Sequence, residues 1–378
     1  MKRELTVGLI AAPDLPAEIA NDNLDVLPEL FTQQIDENIS WNIEMTIDPL
    51  SGSAEDVDEI LGDVMRIQDE KSWNFAICLT DLPVFYGKYV VAADISHFNK
   101  IALISIPAFG WTSFRTAIKD AIILILKDLF HYPEGSNGND FSYKKRTKPA
   151  RKLEKEFPIY KVKRVRTMER PEDTDSRYLV VPEINGKFRL LIGMTQSNRP
   201  MSIMSSFKKV IAIAFSTGAF GLIFTTMWNL SVILSTGRLI GLMLTAISIL
   251  ILWIIVSHNL WERPSARNEK KLRRLYNMTT LSTLFFSVVT YYSLLYLLFL
   301  IAIGVLIPPD VFKEFIKLEK QPGLVEYLRL AWLAASISTI AGAVGAGMEN
   351  EELVRDITYG YRQKQRYKEI RNQGKPMY

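Results

Sequence analysis

Residues 210–230, VIAIAFSTGAFGLIFTTMWNL, and 239–256, LIGLMLTAISILILWIIV, decide how this chain is read. Each approaches the roughly 20 apolar residues needed to cross a bilayer core, and neither contains a charged side chain. Two further apolar segments follow before Gly347. The pattern predicts an integral, multi-pass membrane protein with spans at about 209–230, 239–257, 278–307 and 325–347, an all-α transmembrane four-helix bundle over 208–347. The third span exceeds the thickness of the hydrocarbon and must tilt or extend beyond it.

Charge is as unevenly spread as hydropathy. Residues 1–140 hold 9 Lys/Arg against 23 Asp/Glu, a net of −14, while residues 141–378 hold 36 against 18, a net of +18. The overall +4 hides an acidic head and a basic body, an asymmetry that bears on partners and orientation rather than on fold. Loop 258–276 carries six basic residues and the segment after Gly347 carries seven, whereas the 229–238 connection has only Arg238. Because cytoplasmic loops are the ones rich in Lys and Arg, both termini are expected in the cytoplasm of a cell-membrane protein, with 229–238 and 308–323 outside. In the second outer connection Val311, Phe312, Phe315, Ile316 and Leu318 share a helical face suited to the outer leaflet.

Upstream of the apolar block the pattern is α/β. β-rich runs at 5–11, 41–47 and 74–80 alternate with helical patterns at 23–36 and 54–71, which argues for a largely parallel sheet. In the second helix Val57, Ile60, Leu61, Val64 and Ile67 recur at three and four residues, one apolar stripe for a sheet. Strands at 89–95 and 101–106, parted by a short polar break, predict an antiparallel hairpin, and a helix at 113–130 closes the unit. The expected fold of residues 1–132 is therefore an α/β mixed-sheet cytoplasmic head. Residues 6–12 read as a buried strand rather than a secretory apolar region, because Pro13-Asp14 cuts the run short. Cys78, the single cysteine, lies in an apolar run and reads as a small buried hydrophobe.

Residues 133–207 are expected to form a linker, a basic segment and a small β-hairpin, and 348–378 a basic cytoplasmic tail. Turn formers crowd 133–140, and eleven Lys/Arg against two acids follow between Lys144 and Arg166. Lys144, Lys145, Arg146, Lys148, Arg151 and Lys152 are the candidate contacts to anionic lipid headgroups, worth about 1 kcal/mol each near a membrane surface. The run equally suits a solvated segment that fixes topology, or a docking strip for the acidic head. It lacks the helical face or aromatic interleaving of a nucleic-acid reader, so no nucleic acid is expected. Asn185-Gly186 between apolar runs at 178–181 and 188–192 predicts a tight hairpin turn.

Within the spans, Gly237 and Gly241 on the second and Gly342 and Gly345 on the fourth mark close-packing faces. Thr279, Thr283, Ser287 and Thr290 form a hydroxyl stripe on the third. Helix packing, including with a second copy or another membrane protein, explains these better than a solute path does, because ionisable groups avoid the span centres.

Soluble chemistry has few anchors: no phosphate-binding glycine loop, no H-E-x-x-H, and three scattered histidines. The best candidate ligand site is the carboxyl end of the third strand, Thr80 and Asp81, since open α/β sheets bind ligands beyond strand ends. Asp94, Ser96 and His97 are the nearest polar residues in sequence. No cofactor and no metal is expected.

Residues 79–83, 90–96 and 101–110, with Asn198-Arg199-Pro200, His258-Asn259-Leu260-Trp261-Glu262-Arg263-Pro264 and Tyr359-Gly360-Tyr361-Arg362-Gln363, resemble an uncharacterised family of Gram-positive bacterial multi-pass membrane proteins. That resemblance implies membrane residence and no particular activity. The sheet segments are also similar to archaemetzincin-type metalloproteases, but the helix at 113–130 has no histidine, so zinc proteolysis is not implied. Two functions stay open: a non-enzymatic head that binds a ligand or partner above a membrane anchor, and a membrane-tethered enzyme using Asp81 and Asp94.

Overall fold

The computed structural model describes residues 3–49, 57–111, 114–132, 156–159, 161–166, 176–201, 207–262, 270–317, 321–346, 358, 361–362 and 365–366. The chain divides into two compact units, Met1–Ser197 with Arg362–Tyr378, and Asn198–Tyr361.

The first unit is built on one mixed sheet of eight strands: β1 (Arg3–Ala11), β2 (Ile39–Ile47), β3 (Phe75–Thr80), β4 (Phe85–Tyr86), β5 (Tyr89–Ser96), β6 (Ile101–Ser105), β7 (Val162–Arg166) and β8 (Ser176–Val180). Their order is β2-β1-β3-β6-β5-β8-β7, with β4 paired to β5. β2, β1, β3 and β6 run parallel, and β5, β8 and β7 continue antiparallel. β3 and β6 are buried at every position, as strands covered on both faces must be.

Helix α3 (Val57–Lys71) lays Ile60, Leu61, Val64 and Ile67 on one face, against Ile10, Ala76, Cys78 and Leu103. On the other, Trp41 packs edge-on to Phe31 and Phe130 from helices α2 (Leu27–Gln34) and α4 (Phe114–Phe130). Helix α1 (Leu15–Asn21) follows β1 directly. The β1 connection runs one way, to β2, and the β2 connection returns across β1 to β3. The carboxyl ends of β1 and β3 are therefore the point at which the winding reverses, where open sheets leave a crevice.

The hairpin expected to turn on Asn185-Gly186 does not form. β8 pairs instead with β5 and with β7, and residues 183 onward make helix α5 (Glu183–Ser197). The helical period won because Gly186, Leu190, Gly193, Met194 and Ser197 fall on one buried face, whereas a second strand at 188–192 would leave that face unfilled. Gly193 is required there: a Cβ would fall on the Pro107 carbonyl of the 3-10 turn Ile106–Phe109. The small hairpin of this region is β7–β8.

In the second unit, α8 (Thr236–Ser257), α9 (Lys270–Leu306) and α11 (Leu324–Ala346) are long and apolar enough to cross a membrane, with mean hydropathies of 2.8, 2.2 and 1.3. The expected first span is not one continuous helix. It folds as α6 (Lys208–Gly221) and α7 (Thr225–Ile233), bent by 93°, so among the described residues the count is three spans, or four if this pair makes one. The corner is held by named contacts. Trp228 Nε1 donates to the Leu222 carbonyl at 2.8 Å, and its ring packs edge-on to Phe312 of α10 (Pro309–Ile316). Arg329 donates to the Ser231 carbonyl at 2.9 Å and to the Leu234 carbonyl, satisfying acceptors that a helix end leaves open.

α11 is packed by glycine contacts. Gly342 faces Ala214 and Tyr291, and Gly218 faces Ser338 and Phe299, so that a Cβ at Gly218 would overlap both. A Cβ at Gly237 or Gly241 would meet nothing within 4 Å beyond its own helix backbone among the described residues, and Gly345 lies in α11. The hydroxyls of Thr279, Thr283 and Ser287 each donate to the carbonyl four residues back, and Ser287 also to the Pro200 carbonyl at 2.9 Å.

Candidate functional site at the strand ends

β3 ends in Thr80, whose Oγ1 accepts the Leu82 N–H at 3.1 Å. Ser105 Oγ, at the end of β6, donates to the Leu82 carbonyl at 2.7 Å. These two bonds pin the turn and fix Asp81, which is 1% exposed, at the crevice. β1 ends at the same edge and leads to Asp14, whose φ of 70° is one that residues other than glycine seldom adopt.

Between the two loops lies Arg366. Its Nη1 donates to Asp81 Oδ1 at 2.9 Å and its Nη2 to Asp81 Oδ2 at 3.2 Å, a bidentate pair. The same Nη2 reaches the Pro13 carbonyl and Asp14 Oδ2, each at 3.3 Å. Arg362 Nη1 adds a contact to Asp81 Oδ2 at 3.4 Å. Burial, the largest influence on the Asp81 carboxyl, raises its pKa, but Arg366 and Arg362 together outweigh it and hold the group below the usual carboxylate range. The site is a charged carboxylate clamp closed on a guanidinium.

The other sequence candidates lie elsewhere. Asp94, in β5, is 3.2 Å from Arg177 Nε of β8, and that guanidinium stacks over the Tyr86 ring at 4.7 Å. Burial pushes the Asp94 carboxyl up to about 7 against the pull of Arg177, with Asp58 of α3 adding to the rise. Ser96 pairs with Ile101 at the start of β6, so Ser96 and His97 sit at the opposite edge of the sheet from Asp81. Ser96 Oγ accepts from Asn99 at 3.2 Å, closing the turn. His97 is buried, with Nε2 3.1 Å from Asp128 Oδ2 and its ring stacked on Tyr132 at 4.4 Å. Arg164 donates to Asp128 at 2.5 Å and to Ser176 Oγ at 3.2 Å. Asp128 is lowered: burial raises it most, and His97 and then Arg164 overcome that.

The five candidates therefore form three separate arrangements. Asp14, Arg362, Arg366, Asp128 and Arg164 were not read from the sequence. Asp14 had a usable signal, because it follows β1 as Asp81 follows β3. The two arginines had only their spacing of four. The lipid-contact candidates Lys144, Lys145, Arg146, Lys148, Arg151 and Lys152 fall outside the described residues. No protein-family model, curated protein or solved structure matches this chain.

Proposed function

We propose that this chain is a membrane-anchored binding protein whose α/β unit recognises a cationic group at the carboxyl ends of β1 and β3. One observation carries the reading: the buried Asp81 carboxylate is engaged through both oxygens by a guanidinium, at the reversal point of the sheet. A buried carboxylate without a partner is costly, and one matched to a planar donor fork recognises that fork. The apolar helices serve as the anchor, with α6 and α7 as the first of four crossings and both termini in the bacterial cytoplasm. Residues 144–152 contact anionic lipid, and the small residues of α8 and α11 serve packing within the bundle or with a second copy.

A membrane-tethered enzyme using Asp81 and Asp94 is the second reading, favoured by the Asp94 carboxyl standing near 7. Against it, the two carboxylates are committed to different arginines, Arg366 and Arg177.

The test uses the full chain in lipid nanodiscs with Arg362→Ala/Arg366→Ala, which opens the carboxylates. Arginine amide is expected to slow hydrogen exchange in residues 12–14 and 80–83, lysine amide much less, and Asp81→Asn to abolish the effect. Exchange that is unaffected by arginine amide, or slowed equally after Asp81→Asn, overturns the reading.

A further inference from the structure

The group in the crevice belongs to the chain itself, 285 residues beyond Asp81. Tyr361, Arg362, Gln365 and Arg366 have helical backbone. Residues four apart on a helix share a face, and here both guanidinium groups converge on one carboxylate. Resting on the binding reading above, we propose that the crevice is a receptor for an Arg-x-x-x-Arg segment, with Arg362 and Arg366 as its resident, displaceable occupant.

The contacts are those of a bound ligand more than of core packing. Arg366 donates to the Asp81 and Asp14 carboxylates and to the Pro13 carbonyl, all at the strand ends. The Asp14 rim is open, with its side chain 53% exposed, while the Arg366 and Asp81 side chains beneath it are 5% and 1% exposed. An incoming guanidinium thus has a solvated carboxylate to meet first and a buried one to finish on. Lysine does not substitute, because a point charge cannot engage both Asp81 oxygens in parallel. The low pKa of Asp81 removes acid as a trigger near neutrality, which leaves competition by another arginine pair as the way to vacate the crevice.

The occupant is tethered, and this sets the scale of the competition. Residues 347–360 join α11 to it, so its binding is intramolecular, at an effective concentration on the order of 1 mM for a tethered segment. A segment supplied in trans works against that local concentration. Its binding displaces Arg362 and Arg366, two of the seven basic residues after Gly347, so occupancy of the crevice and release of that pair are one event.

The probe is a fluorescein-labelled peptide of residues 358–372, titrated by anisotropy against full-length protein in nanodiscs. The Arg362→Ala/Arg366→Ala chain, with its crevice open, is expected to bind the peptide at least about tenfold more tightly than the wild-type chain. The same peptide with both arginines replaced by alanine is expected to lose binding, and replacement by lysine is expected not to restore it. Asp81→Asn in the open chain should abolish binding. Should Asp81→Asn fail to fold, Asp14→Asn, altering an exposed rim, should weaken binding severalfold with the fold intact. Equal binding to the wild-type and open chains, or binding that ignores Asp14 and Asp81, overturns the proposal. If arginine amide protects the strand-end loops and the peptide binds no tighter than arginine amide, the tail receptor is refuted and the cation site stands. If neither binds, both fall.

Discussion

The two units handle buried polarity by opposite rules. In the sheet unit buried carboxylates are paired with cations from other elements: Asp81 with Arg366, Asp94 with Arg177, and Asp128 with His97 and Arg164. In the helical unit buried polarity is neutral and mostly local, since the hydroxyls of Thr279, Thr283, Ser336 and Thr339 return to the carbonyl four residues back. A hydroxyl that bonds its own helix asks nothing of the rest of the chain. A buried carboxylate must find a cation, because desolvation costs several kcal/mol per ion. The proposed recognition of a cationic group therefore rests on the buried carboxylates of the sheet unit.

Breaking that contrast should show first at Asp81. Asp81→Ala removes the bidentate carboxylate from the buried Arg366 and should cost about 3–5 kcal/mol, read as lost exchange protection in β3. In the helical unit the largest effect should come from volume. Gly218→Ala sets a methyl on Ser338 and Phe299 and should cost about 1–3 kcal/mol, measured by resistance to proteolysis in lipid.

Acidity sharpens the comparison further. The Asp94 carboxyl titrates near 7 when folded and near 3.9 when unfolded. Between those values the folded state holds the extra proton, so the sheet unit loses stability as pH rises from about 4 toward 7 and levels off above. The slope reaches about 1.4 kcal/mol per pH unit for one such group, and Asp63, raised to about 6 mainly by burial, adds to it. Asp94→Asn should remove its share of the slope in urea unfolding followed across pH 5 to 7. Asp81 acts in the opposite sense: its contribution is complete above about pH 4 and is lost only in stronger acid. The smallest effect should be Tyr292→Phe, which loses a 2.9 Å bond to Ser336 Oγ in the helical unit. It should cost about 0.5–1.5 kcal/mol.

The same contrast explains what the sequence disclosed. Apolar length is a local property, so α8, α9 and α11 were legible from residue type alone. The 93° corner after Gly221 was not, because it depends on Trp228 meeting Phe312 and on Arg329 reaching the end of α7, partners 84 and 98 residues away in the chain. In the sheet unit β1, β3, β5, β6 and α3 followed from apolar runs and spacing. Asn185-Gly186 misled, since a turn signal is outweighed when the residues from Gly186 to Ser197 bury one helical face. Asp81 was legible as a strand-end carboxylate. Its arginines were not, because nothing local to Asp81 announces a partner from the far end of the chain.

The account turns on whether Asp81 and Arg366 act as one unit, and a double-mutant cycle measures that directly. Asp81→Asn, Arg366→Gln and the double variant would be compared by urea unfolding of the full chain in nanodiscs, followed through exchange of β3 peptides. The expected result is a coupling energy of about 1.5–3 kcal/mol, with the double variant less damaged than the sum of the single ones. Additivity within about 0.5 kcal/mol would mean that the tail arginine does not occupy the strand-end crevice, and would contradict the account.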